Sequence, residues 1–215
     1  MDSREFARSL EKQVAAFCQS LDDRLPAYSF IPLTDDKMRI QVMQSRLFNE
    51  IRAGEIFGGW LKSTPELDVK KTLAEATHEE YEHAVFLEQA LRSQGAVPYD
   101  YRPLPAQMAM FNAFEGLTTT VERIAAFPMA GEGVADYLIA KSLNAGTVPD
   151  WVTAPYRRIH EDEAEHGNYP FEILVKYATT PELQEKAARA VAMSLVLRRA
   201  YFDNLDRWVY EGKMY

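Results

Sequence analysis

All four histidines of the chain lie in two short acidic segments, residues 78–83 and 160–166. Each segment contains the pattern Glu-x-x-His: Glu80 with His83, and Glu163 with His166. Residues three apart on a helix project from the same face, so a carboxylate and an imidazole at this spacing can bind one metal ion. Charged helix faces in water are the ordinary explanation of acidic runs, so the surrounding residues must decide between the two.

The apolar stripe of each predicted helix contains its Glu-x-x-His pair. Glu80 and His83 continue a heptad stripe on one helix, and Glu163 and His166 continue such a stripe on another. The apolar members of the two stripes are Val69, Leu73, Ala76, Leu87, Val152, Tyr156 and Ile159. Burying a carboxylate without a partner is costly. Two inward-facing pairs therefore predict a cation between the helices.

The preceding helix is predicted to add Glu50 to this site. Glu50 lies on a stripe with Leu47 and Phe57, whereas Glu55 lies off it. This helix and the one that carries Glu80 are joined by a short connection and should pack antiparallel, so residues at one height are about equally far from the turn. Glu50 satisfies this relation better than Glu55. Glu50 is the predicted ligand, and Glu55 is the alternative.

The helix that follows the first Glu-x-x-His pair has two inward-facing carboxylates, Glu115 and Glu122. They are separated by about 10 Å along the helix axis, so only one of them should reach the metal directly. We predict Glu122 as the ligand. Glu115 is then expected to lie outside the ligands or to line a channel.

The apolar residues recur at intervals of three and four and nowhere alternate with period two, which predicts an all-α fold. Prolines and helix caps divide the chain into helices. The predicted ranges are 4–25, 34–62, 65–95, 105–127, 133–144, 150–177 with a kink at Pro170, and 180–210. We expect one all-α domain over residues 1–215, with a metal-binding four-helix core over about 36–178.

Composition excludes several classes of protein. The chain has 24 Lys and Arg against 32 Asp and Glu, a net charge of -8, which disfavours binding to nucleic acid or to an anionic membrane surface. Cys18 is the single cysteine, so neither an intrachain disulfide nor a cluster held by thiolates of one chain can form. No apolar stretch approaches the length of a membrane span, and the N-terminus is polar. We expect a cytoplasmic protein.

The set of inward-facing ligands resembles that of the ferritin-like di-iron carboxylate proteins, which use one Glu from each of two helices and Glu-x-x-His from each of two others. The resemblance implies a ferritin-like four-helix bundle with additional N-terminal and C-terminal helices. It also implies two iron ions per chain, with manganese as an alternative. The implied ligands are Glu80 and Glu163 as bridges, His83 and His166 as one imidazole per ion, and Glu50 and Glu122 as terminal carboxylates.

A second resemblance is to the haem-oxygenase-like di-iron oxidases, in which the last ligands often form Asp-x-x-x-His. Asp162 and His166 have this spacing, although Asp162 lies on a polar face and Glu163 lies in the apolar stripe. His160 flanks Glu163 by one turn. It is either a third imidazole, as in some related N-oxygenases, or a histidine outside the ligand set.

Both resemblances imply an O₂-activating non-haem di-iron oxidase or oxygenase that acts on a small organic substrate. Its partners would be O₂, that substrate and an external electron donor, and a homodimer is compatible with this group. The alternative from a different class is an iron-handling or peroxide-scavenging protein with no organic substrate. The additional terminal helices favour the enzyme, since a storage cage usually resembles a bare bundle.

The first testable prediction is a metal content of about two ions per chain, because four carboxylates and two imidazoles are the number a dinuclear site uses. Elemental analysis after anaerobic reconstitution with ferrous iron measures it. A content near zero would contradict the predicted site as a whole.

Overall fold

The computed structural model describes residues 1–165 and 168–213, and over these ranges the chain is helical without a β-strand. A short 3₁₀ turn, Ala27–Ser29, and a π-helix, Ala125–Glu132, interrupt the α-helices. The α-helices are α1 Ser3–Gln19, α2 Asp36–Trp60, α3 Leu67–Ser93, α4 Pro105–Glu115, α5 Thr120–Ile124, α6 Gly133–Asn144, α7 Asp150–Glu165, α8 Tyr169–Tyr177 and α9 Pro181–Glu211. The predicted all-α class is confirmed.

Helices α2 and α3 form the largest helix pair of the described chain, joined by residues 61–66. Asp35 caps α2 by accepting a hydrogen bond from the backbone N–H of Lys37, which satisfies one of the free donors of the first turn. The hydroxyl of Thr64 donates to the carbonyl of Trp60 at 2.9 Å and fixes the connection between the two helices. This pairing brings the middle of α2 beside the middle of α3.

The predicted helix over 105–127 is wrong in two respects: the helix is interrupted, and the helical path does not stop before Pro128. Helix α4 stops at Glu115, α5 restarts at Thr120, and the chain then winds through Pro128 as a π-helix instead of stopping there. Proline lacks the N–H that an α-helix needs and its ring collides with the preceding turn. The π-helix, with its i to i+5 register, accommodates the Pro128 ring and carries the chain directly into α6.

The predicted helix over 150–177 is divided into α7 and α8. Pro170 lies in the first turn of α8, where its missing N–H has no partner to lose, rather than at a kink inside one helix. The side chain of Asn168 accepts from the backbone N–H of Phe171 at 3.4 Å and caps α8. His166 and Gly167 lie outside the described residues.

Helix α9 packs against the π-helix and against α4, α5 and α1, which closes the core. Between them lies an aromatic cluster in which Phe114 stacks on Phe127 with ring centroids 4.8 Å apart, and Phe57 contacts Phe127 at the same distance. Such pairs stabilise by about 1 kcal/mol each beyond their burial. None of the helices in the described ranges combines the length and apolar character that a membrane crossing needs.

The close packing of the π-helix predicts a difference between two glycines. A Cβ at Gly131 would lie 2.8 Å from the Phe127 ring and 2.9 Å from the Arg198 guanidinium, whereas a Cβ at Gly59 meets nothing within 4 Å. Gly131→Ala should lower the free energy of unfolding by about 1 to 3 kcal/mol. Gly59→Ala should leave it unchanged or raise it by up to about 1 kcal/mol. Urea denaturation of the two variants measures both, and equal effects would contradict this packing.

Candidate metal centre

Helices α2 and α3 bring together three buried side chains that can hold a metal ion. Glu50 comes from the middle of α2, and Glu80 and His83 come from the middle of α3. Each offers a ligand atom, and these atoms all lie within 4.8 Å of one another. The antiparallel pairing therefore places Glu50 at the height of the Glu-x-x-His pair, as the distance from the turn predicts.

Three further carboxylates border the same place from other elements. A small cavity is lined by Glu50, His83, Glu132, Asp136 and Glu163, among others, so the π-helix, α6 and α7 reach the group formed by α2 and α3. Its volume is about 10 Å³, which is room for about one water-sized atom. Four glutamates, Asp136 and one imidazole thus lie at or beside a nearly filled space.

Burial and the proximity of other carboxylates raise the pKa values of three of these glutamates. Burial, followed by the negative charges of Glu132, Glu50 and Glu163, raises the pKa of Glu80 well above its ordinary value. Burial together with repulsion from Glu132 and Glu50 raises the pKa of Glu163 to about 8. Burial raises the pKa of Glu132 to about 7, although Arg198 opposes the shift. Without a cation, these carboxylates cannot all be ionised at neutral pH.

Two buried arginines supply part of the missing positive charge. Arg46 Nη2 lies 3.1 Å from Glu50 Oε1, and Arg46 also donates to the hydroxyl of Tyr28. Arg198 is buried and its charge acts on Glu132.

These two arginines can balance two of the four glutamates at most. Glu80 Oε2 is buried and, within the described part of the chain, accepts no hydrogen bond. A metal ion fits this donor set because it would neutralise the remaining charge and coordinate that oxygen.

Helix α7 adds a contact to the imidazole. His83 Nδ1 lies 4.0 Å from Glu80 Oε2, and His83 Nε2 lies 3.6 Å from Asp162 Oδ2. A carboxylate at one nitrogen holds an imidazole ring in orientation while the other nitrogen faces a metal. Of the two predicted alternatives on α7, Glu163 borders the small cavity and Asp162 contacts His83. The predicted ligand His166 lies outside the described residues.

His160 does not line the small cavity, although its partner Asp136 does. Its Nδ1 lies 2.5 Å from Asp136 Oδ1, and both residues are partly exposed. The pair lines a larger pocket of about 570 Å³, which Glu132 and Glu163 also line. These two glutamates therefore stand between the small cavity and a space large enough for an organic molecule.

The structure does not bring Glu55 or Glu115 to the cluster. Both side chains pair with Arg52 at the surface, where about half of each carboxylate side chain is exposed. Glu115 is the last residue of α4. Because the helix ends there, Glu115 does not face the core as it would on the longer predicted helix.

The structure also places Glu122 away from the other predicted ligands. Glu122 lies in the first turn of α5, and its Oε2 accepts from the backbone N–H of Thr119 at 3.0 Å and from the Thr119 hydroxyl at 2.6 Å. This reciprocal arrangement is a capping box, which ties the carboxylate to its own helix start. The prediction of Glu122 as a ligand assumed one unbroken helix through residue 115, and the break before Thr119 removes that register.

Glu132 is the residue at the cluster that the sequence reasoning missed. The predicted helices over 105–127 and 133–144 leave Glu132 in the connection between them, outside any apolar stripe. The available signal was a single acidic side chain in the small, apolar stretch from Ala125 to Ala135, with a glycine on each side. An isolated carboxylate in such a stretch requires a buried partner.

The comparisons with known proteins support the fold. A scan against protein-family models finds no match, and a search of curated proteins finds none either. Among solved structures, the chain is similar to a crystal structure from Shewanella denitrificans, described as a domain of unknown function with a haem-oxygenase-like fold. The TM-score is 0.74 at 16% identity, over 92% of this chain and 90% of the other. The chain therefore has a haem-oxygenase-like helical fold.

The placements of Glu132 and Glu122 predict opposite outcomes for two matched variants. Glu132→Ala should weaken binding of at least one metal ion by about 100-fold or more, because it removes a carboxylate that borders the cavity. Glu122→Ala should keep the metal content and lower the free energy of unfolding by about 1 kcal/mol through the lost capping box. Elemental analysis and urea denaturation measure both effects. If Glu122→Ala loses metal and Glu132→Ala keeps it, the result would contradict this placement and support the ligand predicted from the sequence.

Proposed function

We propose that the protein is an O₂-activating non-haem di-iron oxidase or oxygenase on a haem-oxygenase-like framework, acting on a small organic substrate. The observation that carries the proposal is the position of the buried carboxylate and imidazole group beside the 570 Å³ pocket. A redox metal there would be close to an organic molecule and sheltered from water. The haem-oxygenase-like alternative is preferred over the ferritin-like one because the fold similarity supports it.

The proposed ligands divide between two ions. Glu50, Glu80 and His83 would hold one ion, and Glu132 and Glu163 would hold the other together with His166, whose role rests on the Glu-x-x-His spacing. Carboxylate oxygens with imidazole nitrogen suit iron, with manganese as the alternative. When bound, two ferrous ions supply the electrons that reduce O₂, and an external donor restores them.

The chain's own residues would fix and shield this site. Arg46 Nη2 lies 3.1 Å from Glu50 Oε1 and would hold that carboxylate, and Asp162 Oδ2, 3.6 Å from His83 Nε2, would favour one orientation of the ring when an ion binds. Ile139, Ile159 and Ala135 line the small cavity and exclude bulk water from it. A dry site strengthens the electrostatic interactions of the ligands and limits side reactions.

Haem is a poorer fit to this centre despite the fold. The cavity at His83 is only about 10 Å³, and four carboxylates border it with the imidazole, so a macrocycle has no space beside that ring. Carboxylates at this density favour a bare cation. The proposal therefore concerns non-haem iron.

Oxygen uptake by the iron-loaded protein tests the function. We expect ferrous protein mixed with O₂ in stopped flow to give a transient visible absorbance, and iron uptake to saturate near two ions per chain. Glu80→Ala should reduce both signals at least about tenfold, because it removes a buried ligand. Glu55→Ala is the matched control, since Glu55 lies at the surface of α2, and it should behave as the unmodified chain.

Two results would contradict the proposal. Continued iron uptake with formation of a mineral would identify an iron-handling protein instead. A Glu80→Ala variant that keeps full O₂ consumption would show that the reaction does not use this site.

A further inference from the structure

The 570 Å³ pocket is built by three parts of the fold. One wall is the exposed side of α1, a second is the π-helix with the start of α6, and the third is the end of α7 with the start of α8. The Nδ2 of Asn168 donates to Glu11 Oε1 at 2.6 Å and links the first wall to the third. A pocket of this size can hold a small organic molecule.

The inner end of the pocket is the proposed metal centre. Glu132 and Glu163 line both the pocket and the small cavity that Glu50 and His83 share. A molecule that fills the pocket therefore has one part beside these two carboxylates. The inference drawn from this pocket rests on the proposed function for the oxidation at the metal centre, whereas the binding preference of the outer pocket does not depend on it.

The charged side chains on the pocket walls have one sign. Four lining residues are acidic: Glu11, Glu132, Asp136 and Glu163. Among the lining residues that the structure describes, none is Lys or Arg. The buried Arg46 and Arg198 line the small cavities behind Glu132 and not this pocket.

Bound metal would leave the charges on the outer part of the pocket unchanged. The four glutamates of the proposed centre carry four negative charges, and two ferrous ions together with Arg46 and Arg198 would more than balance them, so negative charge would remain only on the outer part of the pocket. Glu11 and Asp136 lie outside that ligand set. Glu11 lines the pocket and accepts from Asn168, and Asp136 lines both the pocket and the small cavity, with its Oδ1 2.5 Å from His160 Nδ1. The field that a ligand meets on the outer part of the pocket therefore attracts a cation and repels a carboxylate.

The pocket also has an apolar surface that can bind a hydrocarbon group. Val14, Ala15, Pro128, Met129 and Ala140 contribute side chains from two of the walls. Burial of methylene groups against them is favourable at about 0.8 kcal/mol per group. An apolar surface with negative charges beside it matches a molecule with a hydrocarbon part and a cationic end.

We propose that the substrate is a small organic amine, bound in this pocket as its ammonium ion. Its charged nitrogen pairs with Glu11 or Asp136, its hydrocarbon part lies on the apolar wall, and a carbon next to the metal ligands Glu132 and Glu163 is the one presented for oxidation. A fatty acid or other carboxylate of the same size is excluded by the charge of the walls.

Three probes with the same six-carbon chain test the charge preference: hexylamine, 1-hexanol and hexanoate. Binding is measured by calorimetry at pH 7 on the ferrous protein under nitrogen, so no turnover is needed. Hexylamine should bind at least about tenfold more tightly than 1-hexanol, and hexanoate should bind most weakly. Equal binding of the three, or tightest binding of hexanoate, overturns the proposal.

Single-atom changes on the walls test the residues. Glu11→Gln keeps the shape of the side chain and an oxygen that can accept from Asn168, and it should weaken hexylamine binding about fivefold or more with 1-hexanol unchanged. Glu5→Gln is the control on the same helix, because Glu5 does not line the pocket, and it should leave both affinities unchanged. Asp136→Asn removes the other outer negative charge and should also weaken hexylamine binding. Unchanged hexylamine binding in both pocket variants contradicts the assignment.

The outcomes separate this inference from the proposed function. If the protein binds no iron, the same titrations on the metal-free chain still measure the affinity for hexylamine relative to 1-hexanol. That ratio can be compared between Glu11→Gln and the unmodified chain. If it binds about two irons and consumes O₂ but shows no preference for hexylamine, the di-iron function stands and the amine proposal fails.

Discussion

Four carboxylates packed into an apolar interior are the constraint around which this structure is organised. Burial, together with repulsion among Glu50, Glu80, Glu132 and Glu163, raises the pKa values of Glu80, Glu132 and Glu163, while Arg46 and Arg198 provide two positive charges nearby. Removing one partner of a buried ion pair typically costs about 3 to 5 kcal/mol, because the other charge is left without compensation. The arginines are therefore part of the site even though they donate nothing to a metal.

The π-helix is the local feature that makes the arrangement possible. An α-helix would have ended at Pro128, and the chain would have left the core before Glu132. The wider turn keeps the backbone buried through residues 125–132 and delivers Glu132 to the side of α2 and α3. Phe127 and Gly131 show how tightly this segment is packed against α9, since a single added methyl group would collide with both the ring and a guanidinium. Short π-helical segments inside α-helices frequently occur at functional sites.

The same residues define the inner end of the larger pocket, so metal binding and ligand binding share a wall. Glu132 and Glu163 face the small cavity on one side and the 570 Å³ space on the other. His160 lines only the larger space, whereas its partner Asp136 lines both that space and the small cavity. A molecule in the pocket would change the exposure of Glu132 and Glu163 to water.

The sequence determined the all-α class and the core of the candidate site. Period-three and period-four stripes identify buried faces, so the inward position of Glu80 and His83 and the choice of Glu50 over Glu55 followed from helix geometry and from the short turn between α2 and α3. The sequence could not determine the path between residues 115 and 133. Whether proline ends a helix or is absorbed by a π turn depends on the packing of Phe114, Phe127 and α9 around it, and those contacts are long-range. The replacement of Glu122 by Glu132 at the cluster was decided by that packing alone, because a change of helix register rotates every following side chain to a different face.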